Sequence, residues 1–143
     1  MTNLIEADYV HYQQQILSIR EQVFIIEQGV PAELEVDEQE PLSRHLLLFK
    51  EKTPIATGRL TPDGHIGRIA VLKPYRQKGY GTQIIKHLEQ LAAENGLSQV
   101  ALGAQIQAIN FYAKLGYLVY SEIFMDAGIE HRMMKKALAS QQS

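Results

Sequence analysis

The sequence predicts a mixed α/β fold, a single domain over 1–143 built on a central, mostly antiparallel sheet flanked by helices. Three observations carry this. Short apolar stretches and longer amphipathic ones follow the order β-α-β-β-β-α-β-α-β-β. The turn signals "KTP" (52–54) and "PDG" (62–64) cut the segment 45–72 into three strands of a meander. In the middle a strand, a helix and a strand succeed one another, which requires one parallel pairing closed by a right-handed crossover.

Taken in order, "LIEA" (4–7) reads as a short first strand. Asp8 is placed to cap a helix running from Tyr9 into the twenties, with Ile16, Ile19, Val23 and Ile26 spaced by threes and fours as its buried stripe. Gly29 and Pro31 end it. "AELEVDEQEPLS" (32–43) is an acidic loop carrying Glu33, Glu35, Asp37, Glu38 and Glu40. Strands follow at "HLLLFK" (45–50), "IATGRLT" (55–61) and "IGRIAVL" (66–72), and Pro74 stops the last. The segment 82–96 places Ile84, Ile85, Leu88, Leu91 and Ala92 on one helical face and closes on Asn95-Gly96. "QVALGA" (99–104) is a buried strand, and "QAINFYAKLG" (107–116) a short helix ended by Gly116. The segments 117–125 and 130–136 form a last hairpin turning at 126–128.

Composition narrows the function. A formal net charge of −2 gives no support for a nucleic-acid or anionic-membrane partner. The chain has no Cys, which excludes disulfides, thiolate metal sites and a cysteine nucleophile. The five histidines (11, 45, 65, 87, 131) have no metal-ligand spacing, so no metal is expected. The start "MTNLIEADYV" lacks the layout of a secretion signal, and no apolar run approaches the ~20 residues of a membrane span, so a cytoplasmic protein is expected.

"RQKGYG" (76–81) sits between a strand and a helix, with Lys73, Arg76 and Lys78 around Gly79 and Gly81. Helix N-termini carry unpaired N–H groups and favour anions, and glycines let a ligand approach the backbone. The stretch reads equally as a diphosphate cradle or as a plain turn with solvated charges. It is not a P-loop, because "GYGTQ" lacks the lysine, nor a dinucleotide fingerprint, because Ile84 stands at the third glycine.

Arg76-x-x-Gly79-x-Gly81 after "RIAVLKPY" resembles the acetyl-CoA signature of the GCN5-related N-acetyltransferase (GNAT) superfamily, and "AINFYAKLGY" (108–117) resembles its second signature. "VFIIEQGVP" (23–31), "LGAQ" (102–105) and "GIEHRMM" (128–134) resemble the ElaA/YjcF-type branch. The likeness runs in order over roughly 18–136. It implies a V-shaped opening between two parallel strands, here 66–72 and 99–104. The backbone of Ile69, Ala70 and Val71 would bind the pantetheine arm of acetyl-CoA, and Arg76 with the amides of Gln77, Lys78, Gly79, Tyr80, Gly81 and Thr82 would hold its pyrophosphate. Gln105 stands where the superfamily often has an asparagine that contacts the cofactor, and Asn110 lies nearby. Pairing of the final strands would make a homodimer.

The implied activity is transfer of an acetyl group from acetyl-CoA to a primary amine of a small molecule or peptide. With no Cys and no GxSxG elbow, direct attack in a ternary complex is the simpler scheme, and a backbone N–H near Val71 the natural oxyanion donor. The resemblance makes Tyr112 the general acid. Periodicity alone puts Ala108, Phe111, Tyr112 and Leu115 on a core stripe. Glu27 and His45 are the candidate bases or substrate contacts, and the branch resemblance adds His131 on the substrate side. Arg59 and Arg68 either meet an acidic substrate or pair with carboxylates. The acidic loop is either solvated or borders the acceptor cleft, where it would favour cationic amines. Two rival readings are a non-catalytic acyl-CoA sensor on the same fold and a structural domain in which "RQKGYG" is only a turn.

Overall fold

The structure, a computed structural model, describes residues 1–139. β1 (Thr2–Ala7) leads into α1 (Tyr9–Arg20), where the Asp8 carboxylate accepts from the His11 N–H at 3.3 Å. Ile16, Ile19 and Val23 are buried as their spacing predicts. Ile26 is 71% exposed, against expectation. The cause is local: after Arg20 the helix widens into a π-helical turn, Glu21–Glu27, whose larger residue count per turn rotates the stripe away from the core.

The expected loop at 32–43 holds two short helical turns, α2 (Ala32–Glu35) and a 3₁₀ turn at Glu40–Leu42. The meander is as predicted, with β2 (Arg44–Lys50), β3 (Thr53–Leu60) and β4 (Ile66–Val71) adding antiparallel to β1 in the order β1-β2-β3-β4. α3 (Tyr80–Glu94) crosses over to β5 (Gln99–Gln105), and a 3₁₀ turn (Ile106–Ala108) leads into α4 (Ile109–Lys114). The five apolar positions predicted for α3 are all buried and pack on Leu46, Leu48 and Ile55. On the opposite face Ile16 and Ile19 of α1 and Val23 of the π-helical turn pack with Leu47 and Ala70.

The final hairpin is broken on one side. β6 (Leu118–Val119) and β7 (Phe124–Asp126) both pair with β8 (Ile129–Ala137), whose other edge pairs with β5. Between them Ser121 substitutes for strand pairing: its Oγ accepts from the Met133 N–H at 2.8 Å and its carbonyl accepts from Arg132 Nε at 3.0 Å. Ala127 (φ 52°) and Gly128 (φ 78°) make the two-residue turn.

The expected single sheet is instead two four-stranded sheets. They meet at one parallel bridge, His65 with Ala101, where the Ala101 N–H donates to the Gly64 carbonyl at 3.0 Å. Beyond this bridge β4 and β5 separate. The bend has a visible source in β4, where Arg68 and Ile69 together stand opposite Gly58, a β-bulge with Arg68 at φ 51°. Gly58 is required there, because a Cβ would lie 2.7 Å from both Ile69 Cδ1 and Ile84 Cγ2.

Candidate active site

The separation of β4 from β5 opens a cleft of about 530 Å³. Its walls come from the end of the first helix (Phe24, Gln28), from β4, β5 and α4, and from the β7–β8 hairpin. Tyr112, His131, Ile69 and Gln105 all line it, so the structure brings these four predicted residues together.

One rim of the opening is a bare strand edge. The Leu72 N–H donates to the Ile55 carbonyl at 2.9 Å, which makes Leu72 and Ile55 a bonded antiparallel pair. The next pair, Val71 with Ala56, is then of the non-bonded kind, so Val71 turns its N–H and carbonyl away from β3. The carbonyl accepts from Arg76 Nε at 2.9 Å, and the N–H faces the splayed edge.

The N-terminus of α3 stands beside that edge. Its first internal bond runs from the Gln83 N–H to the Gly79 carbonyl at 3.0 Å, which leaves the amides of Tyr80, Gly81 and Thr82 without helical partners. No side chain caps them and the first turn holds no acidic residue. Gly79, at φ 84°, needs to be glycine for its backbone alone. Gly81 does not: a Cβ there would meet only Val71 Cγ2, at 3.8 Å. Gly81 leaves the backbone open on that side, and uncapped amides suit a diphosphate. A ligand with an amide-bearing arm and a diphosphate fits these two neighbouring features.

Several expected residues have other employment. Arg76 Nη1 and Nη2 donate to Glu27 Oε2 and Oε1, at 2.6 Å each, while Nε holds Val71. The guanidinium thus braces the glycine loop against β4 and the first helix, with three of its five N–H donors engaged within the protein. Glu27 loses its place as a base by the same pairing. The hydrogen bonds from Arg76 hold its carboxyl below the ordinary carboxylate range, and it does not line the cleft. His45 is 1% exposed, stacked on Tyr9 with ring centroids 4.8 Å apart, and its Nε2 lies 2.8 Å from the Glu40 carbonyl oxygen. Burial pushes its pKa down. It belongs to the core and does not reach an acceptor. Asn110 is exposed on α4, outside the cleft wall. Gln105 donates to Gln28 Oε1 at 3.0 Å and accepts from Gln107 Nε2 at 2.6 Å, tying β5 to the end of the first helix.

Tyr112 stands edge-on to Phe111 and Tyr117, with centroids 5.1 and 5.9 Å away, and burial pushes its phenol up to about 12. Tyr117 is itself pinned by its hydroxyl, which donates to Glu89 at 2.7 Å. His131 packs on Phe124 (5.7 Å between centroids), and its Nδ1 lies 2.7 Å from the Ile129 carbonyl oxygen. A carbonyl can only accept, so Nδ1 carries a proton, and in the neutral ring the lone pair is then on Nε2.

The acidic loop is not a solvated stretch. Glu35 and Glu40 are buried against Arg20, at 2.5 and 2.6 Å, and Arg59 forks onto both Asp37 oxygens at 2.8 and 2.9 Å. Only Glu33 and Glu38 of the five carboxylates are exposed. The charges of Glu35, Asp37 and Glu40 are therefore matched internally, which leaves Glu33 and Glu38 alone in this loop to act on a cationic amine. Arg20 escaped the sequence reading although it carries a signal: it lies four residues after Ile16 and three before Val23, a cation on a buried stripe. Phe124 and Gln28 also line the cleft without having been singled out, and Glu35 is the one acidic-loop carboxylate that reaches its wall. Among the described residues no cluster of three or more His, Asp or Glu is placed to hold a metal ion, and no helix is long and apolar enough to cross a membrane.

A strand edge left open beside an uncapped helix N-terminus is the binding geometry of an acyl-CoA-dependent transferase, and the chain is an acyltransferase. Residues 7–138 match the Acetyltransferase (GNAT) domain family, and the chain belongs to it. Over 122 residues it is 48% identical to YjcF of Bacillus subtilis (strain 168), described as an uncharacterized N-acetyltransferase, covering 82% of this chain and 87% of that one. Over 124 residues it is 30% identical to protein ElaA of Escherichia coli (strain K12), covering 81% of each. Its structure superposes on that of an acyl-CoA N-acyltransferase from Pseudomonas aeruginosa with a TM-score of 0.86 at 25% identity, over 96% of this chain and 100% of that one. These likenesses place it in the ElaA/YjcF branch.

Proposed function

We propose that the chain moves an acetyl group from acetyl-CoA to a primary amine, by direct attack within a ternary complex. The observation that carries this reading is the open Val71 edge beside the bare α3 N-terminus, on the same strand, β4, whose other residues line the cleft with Tyr112. Acetyl-CoA supplies the activated acetyl group. The edge from Ile69 to Val71 takes the pantetheine arm, and the amides from Gln77 to Thr82 take the diphosphate. The Val71 N–H donates to the acyl oxygen as charge develops there.

Tyr112 keeps its proton throughout the physiological range. A phenol at about 12 gives it up to a thiolate of about 8.5 only uphill, so Tyr112 serves by donating a hydrogen bond to the departing sulfur. With Glu27 paired and His45 in the core, the His131 Nε2 lone pair is the base for the incoming ammonium group.

The test is an acceptor screen with acetyl-CoA, following CoA release and product mass. Release that depends on one amine, with a 42-dalton gain expected for acetylation of that amine (about one acetyl group), supports the transferase. Acetyl-CoA binding with no amine-dependent release would favour the sensor. A homodimer, if formed, has an edge to use where Leu118, Tyr120, Ile123 and Met125 are exposed around β6 and β7, and sedimentation decides it. The cytoplasm is the expected compartment.

A further inference from the structure

We propose that the acceptor amine also carries a carboxylate, and that Arg68 binds it. The inference rests on the acetyltransferase reading for the word acceptor, though the Arg68 site can be read without catalysis. Three arginines, Arg20, Arg59 and Arg68, share the three carboxylates of Glu35, Asp37 and Glu40. The shares are unequal. Arg20 takes Glu35 and Glu40 at 2.5 and 2.6 Å, and Arg59 forks onto Asp37 at 2.8 and 2.9 Å with Glu40 a further 3.0 Å partner.

Arg68 has no carboxylate of its own. Its Nε donates to the Glu35 backbone carbonyl at 3.0 Å, its Nη2 reaches one Asp37 oxygen at 3.3 Å, and the Glu35 carboxylate stands 3.8 Å away, already held by Arg20. Its Nη1 has no partner among the described residues. Burial and the charges of Arg59 and Arg20 push its pKa below the usual value, as an under-compensated cation requires.

The position is as telling as the pairing. Arg68 occupies the β4 bulge at φ 51°, a left-handed conformation that bulky residues rarely hold and that tends to persist at functional sites. It lines the cleft on β4 toward the bridge end, whereas the Val71 edge and the α3 N-terminus lie at the other end of the strand. A guanidinium offers parallel donors that match a planar carboxylate. The charge complement is therefore opposite to the one the acidic loop suggests in sequence: Glu35, Asp37 and Glu40 are held by Arg20 and Arg59, and Arg68, on the cleft wall beside Glu35, is the arginine left least compensated.

The experiment compares matched acid and amide acceptors: glycine with glycinamide, β-alanine with β-alaninamide, 4-aminobutyrate with its amide, and phenylalanine with phenylalaninamide. CoA release gives an acid-to-amide ratio of kcat/KM for wild type, Arg68→Gln and Arg68→Lys. Comparing ratios between proteins cancels the differing basicity of the amines. At least one acid should outperform its amide in wild type, and Arg68→Gln should lower that ratio by about 10- to 100-fold through KM, with acetyl-CoA affinity unchanged. Arg68→Lys, which keeps charge without the fork, should fall between. Calorimetric titration of the same compounds without acetyl-CoA reads the site apart from chemistry. An acid that binds where its amide does not, and that Arg68→Gln no longer binds, upholds the carboxylate site even if no CoA is released, an outcome that removes the transferase reading alone. If wild type favours no acid over its amide in either assay, or if both variants keep the wild-type preference, the inference is overturned.

Discussion

Tyr112 shows how one residue can satisfy two readings at once. Its spacing with Ala108, Phe111 and Leu115 is that of a core stripe, and its ring does pack against Phe111 and Tyr117. The same ring lines the cleft, and burial raises the phenol to about 12. Tyr112→Phe keeps the ring and removes the donor. We expect kcat to fall about 10²- to 10³-fold, the scale of one acid or base, with acetyl-CoA affinity nearly unchanged. Because the phenol stays protonated below about pH 11, the variant should keep the wild-type shape of the pH–rate profile from pH 6 to about 10. Wild-type turnover in the variant would return Tyr112 to the core alone. Arg76 and Glu27 carry the opposite lesson. Each suited the site by position in sequence, yet 49 residues separate them, and no local pattern announces that they pair.

At the scale of elements, legibility followed the range of the interactions. α3 was readable throughout, because its five buried positions repeat every three or four residues and face a single core formed with both sheets. The stripe of α1 was readable as far as Val23 and misleading at Ile26, since a π-helical turn leaves the apolar count unchanged while altering the angle. The acidic loop was least legible: its partners Arg20, Arg59 and Arg68 come from a helix and two strands distant in sequence. Gly58 tests how the elements fit. Gly58→Ala should lower stability by about 1–3 kcal/mol in denaturant unfolding, because Ile69 and Ile84 must yield to the new methyl. An unchanged midpoint would mean that β3 and α3 pack less closely than described. The loop and β2 also set an acid limit. Burial makes the His45 imidazole harder to protonate, so its folded pKa lies below the unfolded 6.5. Burial raises the Glu40 carboxyl, but the hydrogen bonds and charges of Arg20 and Arg59 outweigh it and leave it below 4.5. Both groups stabilise the fold above their unfolded pKa values and cease to do so as pH falls through the folded ones. Thermal melting should therefore drop as pH falls below about 6.5, and again below about 4.5; His45→Gln should lessen the upper decline, the remainder belonging to His65, which burial also pushes down, and a wild-type pH series that is flat from 7 to 5 would contradict the buried neutral imidazoles.

Over the whole molecule, the functional feature is a failure of pairing. Two antiparallel sheets meet at His65 and Ala101 and then part, because the β4 bulge turns the strand before β5 can extend the ladder. The parting leaves the Val71 N–H beside the uncapped start of α3, and neither has a partner among the described residues. The alternation of strands and the crossover foretold both strands, and the family resemblance implied that they part. The division into two sheets did not show in sequence, since a bulge is set by how Gly58 packs beneath α3 rather than by any run of apolar residues. The central claim is that this opening holds acetyl-CoA with its diphosphate on the α3 amides. Isothermal titration of acetyl-CoA into wild type and Gly81→Glu tests it most directly. Space for the new side chain exists, the nearest contact of a Cβ being 3.8 Å, so the variant should melt like wild type. Wild type should bind one acetyl-CoA per chain, and the variant, with a carboxylate where phosphate charge belongs, should bind none. Equal affinity in the two folded proteins would contradict the account.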